Sequence, residues 1–393
     1  VLSTGTIIVR LDSDVKMKGK HEDIYCVEKG HHFCGNRYRC CRAGTTGSPG
    51  VFEPPAGRNA VWREFPMSKT QTGRKKSVLW GFIYVVSFIV VFAASALIKM
   101  TVDPMGGAFK AEWNDSVGTV HTDFAYGEGE ANKFDLYVPA DDTRETYGLV
   151  VYLHAGGFTS GDKSGDAEML KWLCSKGYVT AGINYTLRTD TNNASVLTQS
   201  NEIKSAIPKV IEEAQKLGYP INKMAVAGGS AGHALAMIYA YRDAAEAPVP
   251  VVLTFGAVGP ASFYQEDWGV YGLDQNDEAC AGMFSVMAGV EITPEEIRDG
   301  SYLEKVKPIS ASMWVDESSA PSVVAYGTHD KVQPYLASLR LKTALEENGV
   351  DFRYFELPHS GHGLQNDNAI AKQWMEAIGE YLDKYMPVAL AAV

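Results

Sequence analysis

Seven short apolar runs alternate with stretches of helical periodicity across residues 131–393, and no other feature so limits what this chain can fold into. The runs are Phe134–Val138, Leu149–Leu153, Val179–Asn184, Met224–Ala227, Val251–Phe255, Val323–Tyr326 and Phe352–Leu357. Each is rich in Val, Leu, Ile or aromatic residues and is bounded by Gly, Pro, Asn or Asp, as strands are. Three-to-four-residue apolar spacing marks helices over Ala167–Lys176, Gln199–Leu217, Gly232–Arg242, Pro334–Glu347 and Ala369–Tyr385, with Gly218 and Gly349 as stops. Strand and helix alternating at this pitch predict an α/β domain with a mostly parallel central sheet and helices on both faces. Residues 259–319 break the rhythm with scattered aromatics (Phe263, Tyr264, Trp268, Tyr271, Phe284) and no strand pattern, and we expect a small insert there acting as a lid or substrate wall. Residues 99–130 read as a polar connector.

Within this frame, Gly228-Gly229-Ser230-Ala231-Gly232 falls between a predicted strand and a predicted helix. A nucleophile on a sharp strand-to-helix turn needs small neighbours, because the backbone doubles back on itself. His154-Ala155-Gly156-Gly157-Phe158 follows directly on the strand Leu149–Leu153, and its glycine-rich backbone can turn N–H groups toward a developing oxyanion. Asp330 closes the run that starts at Val323, and His362 stands in a Gly-His-Gly loop after Phe352–Leu357, with His359 three residues earlier as its competitor. His154 and His329 read as structural hydrogen-bonding groups. His233 is either a pocket residue or one on a helix surface.

Nucleophile, acid and histidine occur in that chain order, and residues about 130–387 resemble the α/β-hydrolase esterases of the hormone-sensitive-lipase and bacterial feruloyl/acetyl esterase type. HAGGFTSGDK is similar to that family's His-Gly-Gly-Gly-aromatic segment, GGSAGHALA to its nucleophile elbow, and Gly182–Arg188 to its Asn-Tyr-Arg-Leu stretch. The resemblance implies Ser230 as nucleophile, His362 as base, Asp330 as its orienting acid, and the N–H groups of Gly156, Gly157 and Ala231 as oxyanion hole, with no cofactor and no metal. It implies short-chain acyl or aryl esters as substrates, among them acetyl and feruloyl esters of plant polysaccharide. A peptidase or formamidase-like amide hydrolase would use the same triad, and a catalytically silent, membrane-tethered binding module is the reading from another class. Ala155 in place of the first glycine, and His233 where a small residue is usual, depart from the pattern.

The N-terminal part is a different kind of chain. Residues 1–76 carry 14 Lys/Arg against 7 Asp/Glu, whereas residues 77–393 carry 22 against 40, and that acidic bulk argues against nucleic acid as the partner. Val78–Ile98 is 21 residues without a charge, long enough to cross a hydrocarbon core of about 30 Å, and Arg74-Lys75-Lys76 before it orients the remainder outward. It reads as an uncleaved signal anchor or as a long signal peptide cut near Ala94-Ser95-Ala96, so the hydrolase is expected to be secreted or held at the outer face of the membrane. Met67 opens an ordinary n-region for this run, and residues 1–66 are expected to be a non-native leader. Their Cys26, His31, His32, Cys34, Cys40 and Cys41 are possible zinc ligands at spacings that fit no standard pair of arms. Cys174 and Cys280 either bridge or stay free.

Overall fold

In the computed structural model of the protein, the described residues are 111–388 together with Ile83, Tyr84, Val86, Ser87, Val90 and Val91, which are helical and fall within the apolar run. The expectations for the leader, its Cys/His group and most of the Val78–Ile98 run lie outside the described residues. Among the described residues no helix is long and apolar enough to cross a membrane.

Among the described residues eight strands make one sheet: β1 (Gly118–Ala125), β2 (Lys133–Pro139), β3 (Tyr147–Leu153), β4 (Val179–Ile183), β5 (Ile221–Gly229), β6 (Val251–Ala257), β7 (Ser322–Gly327) and β8 (Phe352–Leu357). Their spatial order is β1-β2-β4-β3-β5-β6-β7-β8. The pairs β1–β2 and β2–β4 are antiparallel, and every pairing from β4 through β8 is parallel. The longer helices are α1 (Ala167–Ser175), α2 (Val196–Lys216), α3 (Ala231–Ile238), α4 (Asp277–Ala288), α5 (Pro294–Asp299), α6 (Tyr302–Val306), α7 (Tyr335–Glu347) and α8 (Asn368–Tyr385).

Period-two alternation divides the central strands between two cores. Leu149, Val151 and Leu153 of β3, Val226 of β5 and Val324 and Tyr326 of β7 pack in the layer formed with α2, α3, α7 and the insert. Val150, Ala225, Val323 and Ala325 face the other way, into the layer with Ala371, Ile378 and Leu382 of α8. Cys174 and Cys280 are both buried free thiols.

The supposed connector 99–130 contains β1, which the sequence pattern did not reveal. As an edge strand it buries only Gly118 and leaves half of its residues exposed, so its run GTVHTDFA lacks the continuous apolar character of the central strands. Its register shifts between His121 and Phe124, where Asp123 adopts φ 63°. The Asp123 N–H donates to Asp135 Oδ1 at 2.8 Å, and the buried Lys163 ammonium pairs with Asp123 at 3.0 Å and Asp135 at 3.1 Å.

The insert between β6 and β7 is wholly helical in its regular structure and carries its own aromatic core. Phe263, Trp268, Phe284 and Tyr302 are buried, with the Phe263–Trp268 rings stacked at 5.0 Å and Phe284 edge-on to both. A capping box between Thr293 and Glu296, with Pro294 at the first turn, starts α5. Truncation of Phe284 to Ala empties the centre of this cluster and is expected to cost about 3–5 kcal/mol in urea unfolding. A loss below about 1 kcal/mol would show that the insert contributes little to the fold.

Candidate active site

β5 runs out at Gly229 and α3 begins at Ala231, so Ser230 alone makes the turn, at φ 51° and ψ −119°. A serine in this region is strained by about 1–3 kcal/mol and needs support on all sides. The Ser230 N–H donates to the Ala257 carbonyl at 2.9 Å, and Val258, the residue that follows that neighbouring strand, is also held at positive φ. A Cβ on Gly228 would lie 2.5 Å from the Gly232 carbonyl carbon, and one on Gly232 would lie 1.9 Å from the Leu153 oxygen. Helix α3 therefore presses against the end of β3, which only glycines at these two positions allow.

His362 arrives from the loop after β8. Its Nε2 stands 2.9 Å from Ser230 Oγ, and its Nδ1 stands 2.8 Å from Asp330 Oδ2. A carboxylate can only accept here, so Nδ1 carries the proton and Nε2 presents its lone pair to the hydroxyl. The other carboxylate oxygen of Asp330 accepts from the Val332 N–H at 2.7 Å and the Gln333 N–H at 3.0 Å, so the side chain is buried and fully engaged. His359 points elsewhere. Its Nδ1 meets Asp367 at 2.8 Å, and Asp367 also accepts from the His359 N–H and Ser360 Oγ, which ties down the loop carrying His362.

The loop 154–161 folds back beside this pair. Gly156, Gly157 and Phe158 take φ of 135°, 59° and 67° in succession, and a Cβ on Gly156 would sit 1.9 Å from the Ser160 oxygen. Ala155 takes no positive φ, which explains why an alanine serves where the family pattern has glycine. The N–H groups of Gly156, Gly157 and Ala231 donate to no described residue, while Phe158 O accepts from the Arg188 N–H at 3.0 Å and from Gln199 Nε2 at 2.9 Å. Gln199 also binds the Thr186 oxygen at 2.8 Å. It is fully buried on α2, in the same apolar stripe as Ile203 and Ile207. That polar interruption of a helical stripe is the one sequence signal for a residue that no motif marks. His154 stacks on Tyr185 at 4.2 Å, and the Tyr185 hydroxyl donates to the His154 oxygen at 2.9 Å.

His233 lines no pocket and lies on no surface; it is completely buried behind the turn. Its Nδ1 accepts the Gly259 N–H at 3.1 Å, and burial pushes its pKa down to about 3. Cβ atoms on Gly256 and Gly259 would come within 2.5 Å and 2.8 Å of the His233 side chain, so these two glycines make the room that its larger ring requires.

A cavity of about 450 Å³ opens beside Gly157 and Phe158 and is walled on its far side by Met283, Val286 and Met287 of α4. The insert is thus a wall of the space next to the glycine loop. Among the described residues no group of three or more His, Cys, Asp or Glu side chains is placed to hold a metal ion.

Two outcomes follow from these contacts. Gln199→Leu removes a side-chain brace on the glycine loop and is expected to lower kcat about tenfold or more with little change in KM, roughly the value of one such bond; a lower melting temperature with unchanged kcat would make Gln199 a packing residue only. His233 resists protonation when folded but has an ordinary pKa near 6.5 when unfolded. Its contribution to stability is therefore complete above about pH 6.5 and is lost as pH falls toward about 3. His233→Asn should flatten the pH dependence of unfolding over that window, and an unaltered slope would contradict the assignment.

Residues 134–261 match the BD-FAE family model, a span that holds the glycine loop and the Ser230 turn and ends before Asp330 and His362. A kynurenine formamidase of Salmo salar is 32% identical over 114 residues, 29% of this chain and 36% of that protein, so the match spans about a third of that relative's length. Among solved structures, a truncated carbohydrate esterase from gut microbiota superposes with a TM-score of 0.55 at 18% identity, covering 70% of this chain and 98% of its own. The esterase Est2 of the planctomycete Thermogutta terrifontis superposes at 0.54 with 19% identity over 72% and 98% of the two chains. Esterase B of Lactobacillus rhamnosis does so at 0.52 with 18% identity over 76% and 96%. From its sheet order and these likenesses, the chain has the α/β-hydrolase fold.

Proposed function

We propose that the protein is a serine carboxylesterase that hydrolyses short-chain acyl or aryl esters, acetyl and feruloyl esters of plant polysaccharide among them. One observation carries this reading: the relay from Ser230 Oγ through the His362 ring to Asp330, at 2.9 and 2.8 Å. A serine hydroxyl is a weak nucleophile at neutral pH, so it attacks a carbonyl only as its proton leaves for Nε2 of His362. Asp330 holds the Nδ1–H tautomer and stabilises the imidazolium that forms. The N–H groups of Gly156, Gly157 and Ala231 are free to meet the oxyanion, each at a worth of about 10²-fold in rate. Collapse returns the proton from His362 to the leaving alcohol and leaves an acyl group on Ser230. Water, deprotonated by the same imidazole, then releases the acid and restores the serine. The likeness to a carbohydrate esterase supports the polysaccharide side of the proposal, and the uncharged run Val78–Ile98 supports export to the compartment where such esters occur.

An amide substrate is the second reading, and the stretch similar to a kynurenine formamidase favours it. The same groups would serve, with His362 protonating an amine instead of an alcohol. Chromogenic esters of graded acyl length, methyl ferulate, acetylated xylan and N-formyl aryl amides, assayed on one preparation, separate the two. We expect the esters to be turned over and Ser230→Ala to reduce kcat by about 10⁴-fold or more at unchanged melting temperature. Turnover of the amides alone would replace the esterase reading with the amide one.

A further inference from the structure

The cavity beside the glycine loop has an apolar wall and a single charge. Among the residues lining it, Phe158, Met283, Val286 and Met287 supply apolar surface, and Arg188 is the one charged side chain. The backbone of Arg188 is fixed to the loop through its N–H on Phe158 O. Its guanidinium spends one donor, Nη1, on the Ala194 oxygen at 2.7 Å, and no carboxylate among the described residues pairs with it. Glu202, which reaches the same segment, is turned instead to the Thr186 N–H at 2.6 Å. The other arginines that lie largely out of solvent are satisfied differently: Arg144 is paired with Asp141 and Arg242 with Asp243. A half-buried guanidinium with four N–H donors uncommitted, in a chain of net charge −11, is a poor arrangement for an empty site and a good one for an anion.

We propose that this cavity binds a substrate portion that joins an apolar or aromatic body to a carboxylate, the body lying against Met283, Val286 and Met287 and the carboxylate on Arg188. This rests on the hydrolase reading above and adds the substrate class: esters or amides that carry an acidic group on an apolar or aromatic body. The cavity, about 450 Å³, is in the ordinary range for a small-molecule site. A planar fork of donors matches a carboxylate in two parallel bonds, which a neutral amide of the same shape cannot reproduce. Because Gly157 borders the same cavity, the bound group would sit next to the donors assigned to the oxyanion.

The test is direct titration of the full chain with benzoate and with benzamide, read by calorimetry, alongside their inhibition of hydrolysis of a small neutral ester. Benzoate should bind about tenfold or more tightly, with the advantage shrinking at high salt. Arg188→Gln should bring the two ligands to parity, and Arg188→Lys should restore part of the difference. Met287→Glu, which leaves Arg188 in place but sets a negative charge in the opposite wall, should abolish it as well and decides the matter if Arg188→Gln does not fold. Equal binding of benzoate and benzamide by the wild-type protein would overturn the proposal, as would a preference that survives both substitutions. Failure of the protein to hydrolyse any ester or amide would overturn the hydrolase reading separately, since the calorimetric comparison needs no turnover.

Discussion

Helix α3 and the end of strand β3 approach so closely that a single methyl group would force them apart, and the site depends on that approach. With Gly232 against the Leu153 oxygen, the helix N-terminus stands at the carboxyl edge of the sheet directly beneath Ser230. The turn can then be as tight as φ 51° demands, and the helix dipole favours negative charge where an oxyanion would form. The same approach brings the segment leaving β3 alongside the turn, so the Gly156–Gly157 backbone and the serine share one end of the sheet. Parallel strands with their crossovers make this edge a natural crevice for ligands.

Strain at Ser230 and Val258 is held by a polar network centred on Gly259. Its N–H binds His233 Nδ1, and its oxygen accepts from the Tyr326 hydroxyl at 3.0 Å and Gln333 Nε2 at 3.2 Å. Gln333 in turn gives its backbone N–H to Asp330. Helix α3, β7 and the loop carrying Asp330 therefore share one buried set of hydrogen bonds. The insert joins from outside, through the Tyr271 hydroxyl on the Val332 oxygen at 2.6 Å.

How legible each part was in the sequence follows from what buries it. The central strands announced themselves because both their faces are covered, which makes the apolar run continuous; β1, exposed at the edge, left no such trace. The segments holding Ser230 and His362 stood out because glycines flank them, and Asp330 because it lies in the loop just after β7. Gln199 and Gln333 act through long-range contacts that no local spacing encodes. His233 looked like a surface or pocket residue because the glycines that admit its ring, Gly256 and Gly259, lie more than twenty positions away. His359 and His362 likewise differ only in three dimensions, where each histidine has its own aspartate and His362 is the one that stands against the serine.

The central claim is that Ser230 is a nucleophile activated by His362 and Asp330. Intact-mass and peptide-level spectrometry after exposure to an aryl phosphonate ester tests it whatever the natural substrate is. The account predicts one adduct per chain, located on Ser230, formed in the wild-type protein and suppressed by His362→Ala. An unmodified Ser230, or an adduct that forms equally well without His362, would contradict it.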